Sequence, residues 1–103
     1  MREGLTPAPY RSSPIFDENS LPTALQREHR TKQGVWGILR ALEGRLKLTY
    51  SDTGEEQMLA PGAPGLVLPD QPHFVEVQGP VRMRVDFYDQ CPDLLRPGCG
   101  LEG

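Results

Sequence analysis

Residues 25–50 read LQREHRTKQGVWGILRALEGRLKLTY, and whether this run is helical or extended decides the fold. Its end is the clearest part. In RLKLTY, Leu46, Leu48 and Tyr50 alternate with Arg45, Lys47 and Thr49, the period-two pattern of a strand with one buried face. Upstream, GVWGILRALEG sets Val35, Gly37, Leu39 and Ala41 on one face and stops at Glu43-Gly44, a tight-turn signal. Further back, TALQREHRT alternates Leu25, Arg27, His29 and Thr31 against Gln26, Glu28 and Arg30. A helix competes only in SLPTALQREHR, where Ser20 could cap and Pro22 could open a first turn. A strand running into HRTKQG fits the following residues better.

The rest of the chain continues in the same rhythm. SDTGEE is a hairpin loop, QMLAPGAPGLVLP a strand, a Pro-Gly corner and a strand, and HFVEVQGP with VRMRVDFYD a final pair around Gly79-Pro80. About seven or eight strands at a spacing of about ten residues predict an all-β sandwich or barrel. Residues 1–13 read as an irregular lead-in, 14–90 as the domain and 91–103 as a tail.

Composition agrees. The 103 residues suit one domain, and 11 glycines with 11 prolines punctuate the chain too often for a helix bundle. A net charge of −3 with no basic run argues against nucleic acid as a partner. MREGLTPAPYRSSP has no apolar core of the signal-peptide kind, and no apolar run approaches the roughly 18 residues of a membrane span. The expectation is a soluble, cytoplasmic protein that does not enter a membrane. Cys91 and Cys99 are not a CxxC pair, and in a reducing cytosol they read as two unpaired thiols.

Three segments carry a family resemblance: LPTALQREHRTKQGVWGILRALEGRLKL, LAPGAPGLVLPDQPHFVEV and VRMRVDFYD. Together, over residues 13–89, the chain resembles the TehB/YeaR-like family of small bacterial cupin-like proteins. That family occurs as free-standing domains and as an N-terminal unit fused to a methyltransferase in some tellurite-resistance proteins. No glycine-rich nucleotide loop is present, so the stand-alone form is expected. The resemblance implies a cupin-like double-stranded β-helix, a small jelly-roll barrel with a pocket between its sheets, and a homodimer. The wider cupin pattern has two histidines, an acid and a glycine in its first motif, and proline, glycine and a histidine in its second. This chain keeps His29, Gly44, Pro69 and His73 but has Thr31 at the second-histidine position and Gly37 where the acid would fall.

The candidate site follows from those positions. Imidazole is the commonest protein metal ligand, and His29 and His73 would converge if the sheet curls. A site needs at least one more donor, and Glu76 and Asp86 are the candidates, with Tyr88 behind them. Strand parity counts against both carboxylates, since His73 shares a face with Val75 and Val77 while Asp86 alternates against Val85 and Phe87. The metal would be divalent Zn, Ni or Fe. Without a metal, the two histidines would be hydrogen-bonding groups at a pocket mouth. Trp36, Phe87 and Tyr88 are candidate pocket walls. Arg27, Arg40, Arg82 and Arg84 could converge on an oxyanion, although alternate arginines on strands more often form a solvated face.

The leading expectation is a small ligand- or metal-binding domain related to tellurite-resistance and stress-response proteins. One alternative is a metal-dependent dioxygenase- or isomerase-like enzyme acting on a small molecule. The other is a dimeric interaction module without chemistry, pairing through edge strands.

Overall fold

A computed structural model describes residues 8–92. It bears out the all-β class, with eight strands in two antiparallel sheets and no α-helix among the described residues. The first sheet is built around β8 (Arg82–Tyr88). Strands β1 (Arg11–Ser12) and β2 (Phe16–Asp17) pair with one edge of β8, and β3 (Trp36–Glu43) pairs with the other, followed by β6 (Gly65–Val67). The second sheet has the order β5 (Glu56–Leu59), β4 (Leu46–Tyr50), β7 (His73–Val77). The arrangement is jelly-roll-like, but the two sheets do not close into a barrel.

Alternation explains what lies between the sheets. Leu39 stands opposite Val85 and Ala41 opposite Met83 in the first sheet, while Leu46 and Leu48 stand opposite Val77 and Val75 in the second. These faces merge into one core with Leu59, Val67 and Val81. Fully burying a side chain of this size stabilises the fold by about 1.5–3 kcal/mol. The opposite parity gives the first sheet a second, smaller cluster on its outer face: Ile38, Leu66 and Tyr88, with Trp36, Leu68 and Cys91 packed against them.

Consecutive strands mostly change sheet, which the alternation pattern did not anticipate. HFVEV and VRMRVDFYD were expected to pair around Gly79-Pro80, yet β7 pairs with β4 and β8 pairs with β3. The cause is local. Gly79 has φ +101°, Pro80 has no N–H to donate to a ladder, and the chain swings from one sheet to the other. A matching corner follows β3, where the register shifts between Ala41 and Glu43 and Gly44 has φ +75°. The two corners lock together: a Cβ on Gly44 would collide with the Pro80 carbonyl. This close approach is the reason position 44 requires glycine.

The stretch TALQREHRT is not one strand. Thr23–Gln26 form a 3-10 helix, and the chain then extends so that His29 makes an isolated antiparallel bridge to His73. Pro22 sits at the helix start, the role proposed for it in the helical alternative. The expectation of two free thiols is also corrected: Cys91 is disulfide-bonded. The chain's other cysteine, Cys99, lies outside the described residues, as does most of the 91–103 tail. No helix among the described residues is long and apolar enough to cross a membrane.

Candidate ligand-binding site

His29 and His73 meet as direct cross-strand neighbours. Each N–H donates to the other's carbonyl at 2.8 Å, which places both side chains on the same face. Their rings stand edge to face, with centroids 5.5 Å apart at 76°. The neighbouring chain holds this bridge in place. The Thr31 hydroxyl donates to the Leu68 carbonyl at 3.0 Å and accepts the Asp70 N–H at 3.1 Å. Asp70 has φ +59°, a left-handed conformation that aspartate tolerates better than most residues. Arg30 ties the same turn down through the Asp70 carbonyl and carboxylate, at 3.1 and 3.3 Å. Strand β7 therefore begins at a fixed height beside His29.

The two imidazoles face a cavity of about 310 Å³ between the sheets. The first sheet contributes Gly37, Leu39, Val85 and Phe87; the second side contributes His29, Thr31 and His73. Phe16 and Leu25, from β2 and the 3-10 helix, cover it. The walls are mainly apolar. Gly37 makes room: a Cβ there would meet only Thr31 Cγ2 at 3.7 Å, Val85 Cγ1 at 3.8 Å and Val67 Cβ at 4.0 Å. The four positions considered for metal ligands in the cupin comparison, His29, Thr31, Gly37 and His73, thus line one cavity.

The protonation state of His73 follows from its partners. Its Nδ1 lies 2.8 Å from the Gln71 carbonyl. A carbonyl only accepts, so Nδ1 carries the proton. Burial lowers the His73 pKa from its ordinary 6.5; the Gln71 carbonyl opposes this and nearby His29 reinforces it. Near pH 7 the ring is neutral, and Nε2 is a hydrogen-bond acceptor on a ring that lines the cavity.

The other expected metal ligands lie elsewhere. Glu76 has the opposite parity on β7, is exposed, and pairs with Lys47 at 3.3 Å. Asp86 is buried on the outer face of the first sheet. Its carboxylate accepts from the Arg40 Nε at 2.7 Å and the Ser12 hydroxyl at 2.7 Å, and pairs with the Arg84 Nε at 2.9 Å. Burial alone would raise the Asp86 pKa, but Arg40, Ser12 and Arg84 outweigh it and hold the carboxyl below its ordinary value. Among the described residues no three His, Cys, Asp or Glu side chains converge. The donor set stops at two imidazoles, one of them with Nδ1 engaged, so these residues do not fit a metal centre of the three- or four-ligand kind.

Of the proposed walls, Phe87 lines the cavity, whereas Trp36 and Tyr88 belong to the outer cluster. The reason is parity: they alternate with Gly37 and Phe87, whose side of the sheet faces inward. Arg40 and Arg84 do converge on an anion, but it is the chain's own Asp86. Arg82 reaches Glu43 at 3.8 Å on the surface.

Sequence reasoning missed the cover. Arg11 and Ser13, in the segment read as lead-in, join the cavity wall because β1 extends the sheet beside β8. Ser13 fixes that attachment: its N–H donates to the Val85 carbonyl at 2.8 Å, and its hydroxyl accepts the Val85 N–H at 2.9 Å. A two-residue strand carries no readable alternation, so only the side-chain bonding types in RSSP hinted at this.

Comparison with known proteins places these features in a family. A family model described as the TehB-like domain matches residues 11–85. Two curated TehB proteins from Haemophilus influenzae strains, each described as a probable S-adenosyl-L-methionine-dependent methyltransferase, are 42% and 40% identical over 38 residues. Those residues are 37% of this chain and 13% of either relative. The crystal structure of TehB from Haemophilus influenzae matches with a TM-score of 0.71 and 30% identity, covering 82% of this chain and 32% of that one. A crystal structure of a protein from Escherichia coli strain K12 matches with a TM-score of 0.73 at 18% identity. That match covers 84% of this chain and 94% of the other, and it speaks to the fold alone. The chain therefore spans about a third or less of the TehB proteins it matches.

Proposed function

The chain belongs to the TehB-like domain family, and on that premise we propose that it is a small-molecule-binding domain whose site is the cavity between the sheets. The observation carrying this reading is the apolar cavity of about 310 Å³ with the His73 imidazole, its Nε2 free to accept a hydrogen bond, in the wall. A volume at the lower end of the usual range for ligand sites, with few polar groups to orient the occupant, is the ordinary form of such a pocket. In this reading the domain contributes ligand capture to tellurite or related stress, and methyl transfer belongs to the remainder of the longer relatives.

The metal-dependent enzyme is the weaker reading because Glu76 and Asp86 are committed to Lys47 and to Arg40 with Arg84. A fragment screen followed by amide NMR tests the proposal. Fragments that bind are expected to shift the amides of Thr31, Gly37, His73 and Val85 together. Hits confined to the outer cluster around Trp36 and Tyr88 would refute it.

A further inference from the structure

We infer that the ligand is a small organic carboxylate, its apolar body in the cavity between the sheets and its carboxylate at a basic mouth beside Arg11 and Lys32. This rests on the ligand-binding reading of that cavity. The cavity continues into a second recess of about 230 Å³, sharing Arg11, His29, Thr31 and Phe87 with the first. The recess adds Arg30 and Lys32, and among the described residues no carboxylate lines either space. In a chain of net charge −3 this local excess of cations is not the general character of the surface.

Two of the cations are available. Arg30 is held by Asp70 at 3.3 Å. Arg11 and Lys32 make no ion pair among the described residues, although both are exposed. The Arg11 guanidinium lies 5.8 Å over the Phe87 ring, which orients a planar fork of donors at the boundary between apolar wall and water. A carboxylate matches such a fork bidentately, and its single charge is easier to desolvate beside an apolar wall than that of a phosphate, the other anion the fork accepts. Seated at the mouth it stays partly hydrated, so only the apolar body loses its water. Low-dielectric walls beside the cations focus their field on the entrance. A bare inorganic oxyanion would use the mouth and leave the inner cavity unfilled; a neutral apolar molecule would use the cavity and leave the cations unpaired.

The test uses matched pairs, butyrate, hexanoate, phenylacetate and 3-phenylpropionate against the amide of each, titrated at low salt and followed by amide NMR. At least one acid is expected to shift Thr31, Gly37 and Val85 and to bind about tenfold or more tightly than its amide. The variant Arg11→Gln/Lys32→Gln should remove that preference, so that acid and amide bind alike, and in the wild type added salt should weaken the acid alone. If acids and amides bind the cavity equally, or the double variant keeps the preference, the carboxylate inference fails and the ligand-binding reading stands. If no acid or amide perturbs the cavity amides at all, the inference fails too. The fragment screen then decides the broader reading independently.

Discussion

Filling the cavity from Gly37 should separate binding from folding. Gly37 sits inside β3 with no left-handed φ, and a Cβ there finds only ordinary contacts of 3.7–4.0 Å. In Gly37→Val the three added carbons would point into apolar space. At about 0.8 kcal/mol for each buried carbon the ceiling on the gain is about 2.4 kcal/mol. Losing glycine from a strand interior adds about 0.5–1 kcal/mol, and fixing the valine rotamer together with imperfect packing removes a comparable amount. The net expectation is a stabilisation of about 1–2 kcal/mol, a rise in Tm of about 4–8 °C for each kcal/mol. Urea unfolding followed by fluorescence of Trp36, the chain's single tryptophan, measures it. The same variant should lose the NMR response to every fragment that shifts Thr31 and His73 in the wild type. A loss of more than about 2 kcal/mol with ligand response intact would refute the reasoning, because the space beside Gly37 would then be packing rather than a binding cavity.

Further expectations come from other residues. Asp86→Asn leaves Arg40 and Arg84 without their carboxylate and should cost about 2 kcal/mol, less than a fully buried pair because both guanidinium groups keep some water access; urea midpoints decide it. In the wild type the Asp86 contribution is present above its unfolded pKa of about 3.9 and is lost as pH falls through the lower folded value, a slope that Asp86→Asn should remove. His73 acts in a separate window. Its folded pKa is depressed, so its contribution is full above about pH 6.5 and declines as pH falls below that, and His73→Asn should flatten the stability profile there. Gly44→Ala, placing a Cβ against the Pro80 carbonyl at positive φ, should cost about 2 kcal/mol or more by thermal unfolding. Gly37→Glu, which leaves the Thr31 contacts intact, should add a third donor beside His29 and His73 and bring bound Zn or Ni in metal analysis up to about one per chain; a ratio no higher than that of the wild type would show that position 37 does not converge on the two imidazoles.

Alternation along single strands made much of this molecule legible. It put Leu39, Ala41, Leu46 and Leu48 inside, turned Glu76 and Asp86 away from His73, and applied with equal rigour it would also have excluded Trp36 and Tyr88 from the pocket. What alternation does not encode is which strand lies beside which. Nothing in HFVEVQGPVRMRV states that its halves join different sheets; that comes from the corners at Gly44 and Gly79-Pro80, where contact between two distant turns decides the path. The His29–His73 bridge has the same character, since it depends on Thr31 fastening a turn 37 residues away. The cover over the cavity was hidden for another reason: β1 and β2 have two residues each, too short for any periodic signal. Gly37 is the sharpest case. Measured against a metal-binding pattern, a glycine in the acid's position reads as a missing ligand. Set in β3 opposite Phe87 and Val67, the missing side chain is itself a volume, in a wall that also holds a neutral imidazole. Glycine at position 37 leaves the cavity larger and less polar than a side chain carrying a charged donor would, so one residue both withholds a metal ligand and makes room for an apolar ligand body.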